Sequence, residues 1–174
     1  VTLLERVASV LSERGAAHAL IGAAALAVHG VSRSTLDQDL LVDDRRVLES
    51  DFWLPLATEA TVDIRRGDSD DPLAGVVRVS LGTERAVDVV VGRDAWQRDV
   101  LARATAVGDH GLRVVERPDL ILLKLYAGGS QDKWDIEQLL AVDPSAETRS
   151  AVDERIGVLP ARSQEIWELL RPRH

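Results

Sequence analysis

Asp37 and Asp39 stand two residues apart in the run Leu36–Val42. If that run is a β-strand, a side-chain period of two points both carboxylates to one face. Carboxylates so close repel one another, and both stay ionised where a cation compensates. Hard oxygen donors with room for water and phosphate oxygens suit magnesium or manganese. A third acid, Asp88, interrupts the apolar run Val87–Val91. An unpaired charge buried there would cost several kcal/mol. Two arrangements are open. Either this strand lies beside the first and three carboxylates meet, or Asp88 faces water on the polar side of an alternating strand.

Other residues offer chemistry with less specificity. Gly22 succeeds a short apolar run and opens an alanine-rich stretch. A strand–glycine–helix turn of this kind exposes backbone N–H groups, here those of Gly22 and Ala23, to an anion; it also serves tight packing. Arg33 enters the aspartate strand, where it suits a phosphate contact or a surface ion pair. Lys124 is the one charge between Leu120 and Ala127. A helix so apolar is buried, and its ammonium needs an anion: a triphosphate, or the carboxylate of Asp132 or Asp135. His29 reads as a structural residue near a helix C-terminus. The acidic turn from Gly67 to Pro72 reads as a solvated loop.

The elements that must position these groups are legible from periodicity. Leu3, Leu4, Val7, Val10 and Leu11 recur at helical spacing and stop before Gly15. His18–Ile21 reads as a strand, Ala23–Val28 as a helix closed by Gly30, and Leu36–Val42 as a second strand. Asp43 and Asp44 are placed to cap a helix beyond them. Ala60–Arg65, Val76–Leu81, Ala86–Val91 and Leu112–Val115 read as further strands, with a helix over Arg93–Ala104. From Pro118 onward the pattern is helical: one helix ends at Gly128–Gly129, another covers Asp132–Leu140, and Ser145–Ile156 and Pro160–Leu170 close the chain. The expected architecture is α/β, a single domain with an α/β core over about 1–116 and a helical part over 117–174.

The bulk numbers fit this. The 174 residues are 45% hydrophobic and 29% charged, enough to bury a core without a disulfide or structural metal. With no cysteine, thiolate chemistry is excluded. The net charge of −8 argues against non-specific duplex DNA binding. The longest apolar run, Ala19–Val28, is too short to span a bilayer, and Val1 opens an amphipathic pattern directly, so a cytoplasmic protein with no membrane partner is expected.

Jointly, Gly22, the Asp37–Gln38–Asp39 pair and Asp88 resemble the nucleotidyltransferase superfamily with the DNA polymerase β-like fold. Small bacterial nucleotidyltransferase-like proteins, including toxins of abortive-infection and toxin–antitoxin systems, are the nearest likeness. Lys124, Asp132 and Asp135 fall on a further pattern of those proteins, and Arg33 and Thr35 fit the loop before the aspartate pair. The resemblance covers about residues 18 to 140. It departs from the pattern where Ala23 replaces a glycine or serine and Gln131 a basic residue.

The resemblance implies a mixed sheet with flanking helices and transfer of a nucleotidyl group from a nucleoside triphosphate to a hydroxyl. Mg2+ or Mn2+ would be held by Asp37, Asp39 and Asp88, with Gly22, Ala23, Arg33, Thr35, Lys124 and Asp132 around the nucleotide. The acceptor (RNA, protein or a small molecule) stays open. A second reading is a catalytically inactive binding or regulatory protein of the same fold, such as a toxin–antitoxin component with a cognate antitoxin-like partner.

Overall fold

The computed structural model describes residues 1–108, 111–143 and 145–171. They form two compact units, one of residues Val1–Ala24 and Ser34–Val115, the other of Ala25–Arg33 and the chain from Glu116 onward.

The first unit is built on a seven-stranded mixed sheet. Its strands are β1 (His18–Ile21), β2 (Asp37–Val42), β3 (Thr61–Arg66), β4 (Gly75–Ser80), β5 (Ala86–Val91), β6 (Thr105–Ala106) and β7 (Arg113–Val114), in the order β3-β4-β5-β2-β1-β7-β6. The segment from β3 to β5 is an antiparallel meander; β2 then pairs parallel to β5 and antiparallel to β1. In β4 and β5 alternate residues are buried: Val77 and Val79, and Val87, Val89 and Val91, carry the core face. The same alternation turns Arg78 and Asp88 to the other face.

Helix α1 (Leu3–Glu13) packs on β1 and β5 and buries Val7 and Leu11. Its start is fixed by a capping box, in which the Thr2 hydroxyl accepts the Glu5 N–H and the Glu5 carboxylate accepts the Thr2 N–H. Helix α2 (Gly22–Val28) leaves β1 directly, and α3 (Ala95–Arg103) packs near β2. Asp44 does act as a cap, but of a 3-10 turn, Arg45–Leu48, succeeded by another at Ser50–Trp53. The turns bury Val47, Leu48, Phe52 and Trp53, and the Trp53 indole donates to the Val47 carbonyl at 2.8 Å. The acidic segment from Gly67 to Pro72 is a braced loop: Arg93 donates to the carbonyls of Asp68, Ser69 and Leu73.

The second unit is helical. Helix α4 (Arg117–Ala127) carries Pro118 in its first turn, where no N–H partner is lost, and ends on Gly128 at φ 69°. It packs against α5 (Ser130–Val142), α6 (Ala146–Arg155) and α7 (Ala161–Leu170). Leu120, Ile121, Leu122 and Leu125 are buried with Ile136, Leu139, Val152 and Trp167. Lys124 lies within this apolar helix, 8% exposed. No helix among the described residues is long and apolar enough to cross a membrane.

Candidate active site

The pairing of strands sets the site. Four register positions run in one line across the sheet: Asp63 on β3 opposite Arg78 on β4, Arg78 opposite Asp88 on β5, and Asp88 opposite Asp39 on β2. Residues opposite one another on neighbouring strands share a face, and Asp37 shares it with Asp39 by the period of two. The three aspartates singled out by the sequence therefore stand on one side of the sheet.

They do not stand alone. Arg78 spans two of them: its Nη1 donates to Asp88 at 2.9 and 3.2 Å, and its Nη2 donates to Asp37 Oδ1 at 2.6 Å. The planar guanidinium fork suits two carboxylates held apart in this way. Among the described residues, no group of three or more His, Cys, Asp or Glu side chains is arranged to hold a metal ion. A cationic group already sits between two of the acids. The donor chemistry, three carboxylates on one face of which two already hold a cation, is of the kind a hard divalent ion takes.

Burial lifts the Asp88 carboxyl above the usual carboxylate range, with a smaller push from the charge of Asp37; Arg78 works in the opposite direction. The same two acids raise the Arg78 guanidinium further, the Asp37 hydrogen bond first.

Asp39 is approached from its other side by Gly22, the first residue of α2. Gly22 has φ 60°, and a methyl group placed there would lie 2.0 Å from Asp39 Oδ2. Thr35 organises the start of β2: its hydroxyl accepts the Asp37 N–H at 3.3 Å and donates to the Asp37 carbonyl at 3.0 Å.

Arg33, Lys124 and Asp132 cluster inside the helical unit. The centre of the cluster is Asp135, fully buried. Lys124 Nζ lies 2.7 Å from Asp135 Oδ2 and 3.1 Å from Asp132 Oδ1, while Arg33 Nε lies 3.2 Å from Asp135 Oδ1. Gln131 donates its amide to the same Oδ1 at 3.2 Å. The ammonium in the apolar helix thus has carboxylate partners on the next helix, beyond the reach of any pattern within its own turn.

Arg78 is the residue that sequence reasoning passed over. It is the lone charge in the strand Gly75–Ser80, as Asp88 is in its own strand. Two lone opposite charges in strands joined by a short turn are the available signal, since a hairpin sets them side by side.

No protein-family model matches the chain, and no curated protein matches it. Solved structures do. The antibiotic-resistance factor ANT(2'')-Ia, in its solution structure, is similar with a TM-score of 0.56 at 16% identity, over 90% of this chain and 92% of that one. An antigenic nucleotidyltransferase-like protein from Paracoccidioides brasiliensis gives a TM-score of 0.52 at 16% identity, over 94% of this chain and 90% of that one. ANT(2'')-Ia in complex with adenylyl-2''-tobramycin gives 0.50 at 14% identity, over 97% and 95%. At such identities the likeness is one of fold. The chain has the nucleotidyltransferase fold.

Proposed function

We propose that the protein transfers a nucleotidyl group from a nucleoside triphosphate to a hydroxyl acceptor, with pyrophosphate leaving, in dependence on Mg2+ or Mn2+. The observation that carries this reading is the in-register pairing of Asp39 with Asp88, beside Asp37, on one face of a nucleotidyltransferase-type sheet. Asp37, Asp39 and Asp88 would hold the metal, whose contribution is to neutralise charge on the triphosphate. Asp88, in register with Asp39, would help take the acceptor's proton. Gly22 and Ala23 begin the helix that leaves β1 and would lie against phosphate oxygens; Thr35 keeps Asp37 in place at the head of its strand. Arg33, Lys124 and Asp132 serve the nucleotide indirectly in this reading, by fixing the helical unit around Asp135. The adenylyl-tobramycin complex of ANT(2'')-Ia supports counting a small-molecule hydroxyl among the acceptors, beside RNA and protein.

The test is incubation with each labelled nucleoside triphosphate, manganese or magnesium, and a cell extract. Transfer of label in a metal-dependent manner, lost in Asp39→Asn, is the expected outcome. The second reading, a catalytically inactive binding or regulatory relative such as a toxin–antitoxin component, draws support from Arg78, which engages two of the three acids. Under it no label moves with any nucleotide.

A further inference from the structure

We infer that Arg78 is a resident counter-cation which a divalent ion must displace, and that its guanidinium then moves across β4 to Asp63. This rests on the metal-dependent function proposed for the same acids and concerns how the site is loaded.

Three observations carry it. The first is charge: Arg78 bridges Asp88 and Asp37 with one terminal nitrogen each, so it occupies the carboxylate oxygens that a metal would need. A guanidinium and a divalent ion drawn to the same oxygens repel one another, and occupancy by one opposes the other. The second is position. Arg78 stands in the middle of the register line, with Asp88 on one side and Asp63 directly opposite on the other. Asp63 shares its face and has a carboxylate that can accept at two oxygens; Arg65 approaches Oδ2 at 3.1 Å. The third is space. A cavity of about 520 Å3 opens beside Arg78, lined also by Asp63, Arg65, Asp71, Val76 and Asp88. The Arg78 side chain is 41% exposed, so no packed core has to open for it to swing.

Two carboxylate stations flank one long cationic side chain on a strand paired on both sides. With Arg78 on Asp37 and Asp88 both carboxylates are engaged, one of their two negative charges is offset, and they are held apart from nucleotide chemistry. With Arg78 on Asp63 they are released to bind a cation, and the guanidinium remains in the cavity next to Asp88. Metal affinity is then the intrinsic affinity of the acids reduced by the fraction of molecules in which Arg78 still holds them.

The experiment is calorimetric titration of Mn2+ into the full chain and four variants: Arg78→Gln, Arg66→Gln, Asp63→Asn and the double variant Arg78→Gln/Asp63→Asn. Arg78→Gln is expected to bind Mn2+ on the order of tenfold more tightly, a coupling of ordinary size. Arg66→Gln removes a charge from the lining of the same cavity, where Arg66 is held by the Leu48 carbonyl and Glu49 and touches neither carboxylate station, and is expected to change affinity far less. Asp63→Asn is expected to weaken binding in the otherwise unaltered chain and to have no effect once Arg78 is Gln. Equal gains from Arg78→Gln and Arg66→Gln would reduce the effect to general charge and overturn displacement. So would an Asp63→Asn loss of the same size in both backgrounds. Circular dichroism melting checks that each variant folds; if Arg78→Gln does not, Arg78→Lys, which cannot fork between two acids, is expected to show an intermediate gain. Mn2+ that binds the unaltered chain and Arg78→Gln alike overturns this inference alone, whereas Mn2+ that binds no variant overturns the metal-dependent reading with it.

Discussion

An alanine at residue 22 would meet two obstacles at once. Its backbone would keep a left-handed φ of 60°, and its methyl group would lie 2.0 Å from Asp39 Oδ2. The first costs about 1–2 kcal/mol for a residue with a Cβ; the second forces Asp39 to move. Gly22→Ala is therefore expected to lower stability by about 2 kcal/mol or more and to cost more manganese affinity than its loss of stability explains. Chemical denaturation and metal titration on the same protein separate the two effects, and unchanged metal binding in a destabilised variant would free Asp39 from its dependence on the turn. At this scale the sequence singled out Asp37 and Asp39 by their spacing, and for Asp88, an acid inside an apolar strand, it offered two arrangements between which only the strand order chooses. It was silent about Arg78, whose meaning lies in the strand beside it.

Elements carry the next layer, and here the helices are instructive. Lys124 was legible as a buried cation in need of an anion, but the choice between a phosphate and a carboxylate depended on how α4 meets α5. The structure sets it against Asp135, fully buried, and Asp132. Replacing Lys124 with Met leaves Asp135 with fewer cations in an apolar setting, and stability is expected to fall by about 3–5 kcal/mol, the cost of breaking a buried pair from one side. A melting curve decides this, and a variant as stable as the parent would show that Arg33 alone suffices for Asp135. At the end of α5, Asp143 accepts hydrogen bonds from Thr148 and from the Ser145 N–H and pairs with Arg117 at 2.9 Å. These donors, Thr148 first, hold its carboxyl well below the usual carboxylate range. A depressed folded pKa contributes stability that is present above the unfolded value of about 3.9 and is lost as pH falls toward the folded one. Asp143→Asn is thus expected to melt lower than the parent at neutral pH and to lose less between about pH 5 and 2. Parallel acid limbs in the two melting profiles would remove Asp143 from the acid response. The main strands and helices were readable from period and punctuation. The 3-10 turns at Arg45–Leu48 and Ser50–Trp53 were not, because short turns bury residues without repeating any period.

At the scale of the whole molecule, the chain passes between its two units more than once: Ala25–Arg33 cluster with the C-terminal helices although Gly22–Ala24 of the same helix cluster with the sheet. No local pattern marks such a division, since α2 is continuous through it. The order of the strands has a further consequence, in the kinetics of folding. Arg78 and Asp88 are ten residues apart and joined by the β4–β5 hairpin, whereas Asp37 is 41 residues from Arg78 and reaches it through the parallel β2–β5 pairing. Closing the longer loop costs about 1 kcal/mol more in chain entropy, and non-local parallel pairing is slow to form. On that order the hairpin would present Asp88 already paired with Arg78 when β2 arrives, and acids that would repel on first approach would meet across a cation. On this account the arginine works as a folding aid before it works as anything else: Arg78→Gln should refold more slowly from denaturant at low salt, and added salt, by screening the acids, should restore much of the lost rate.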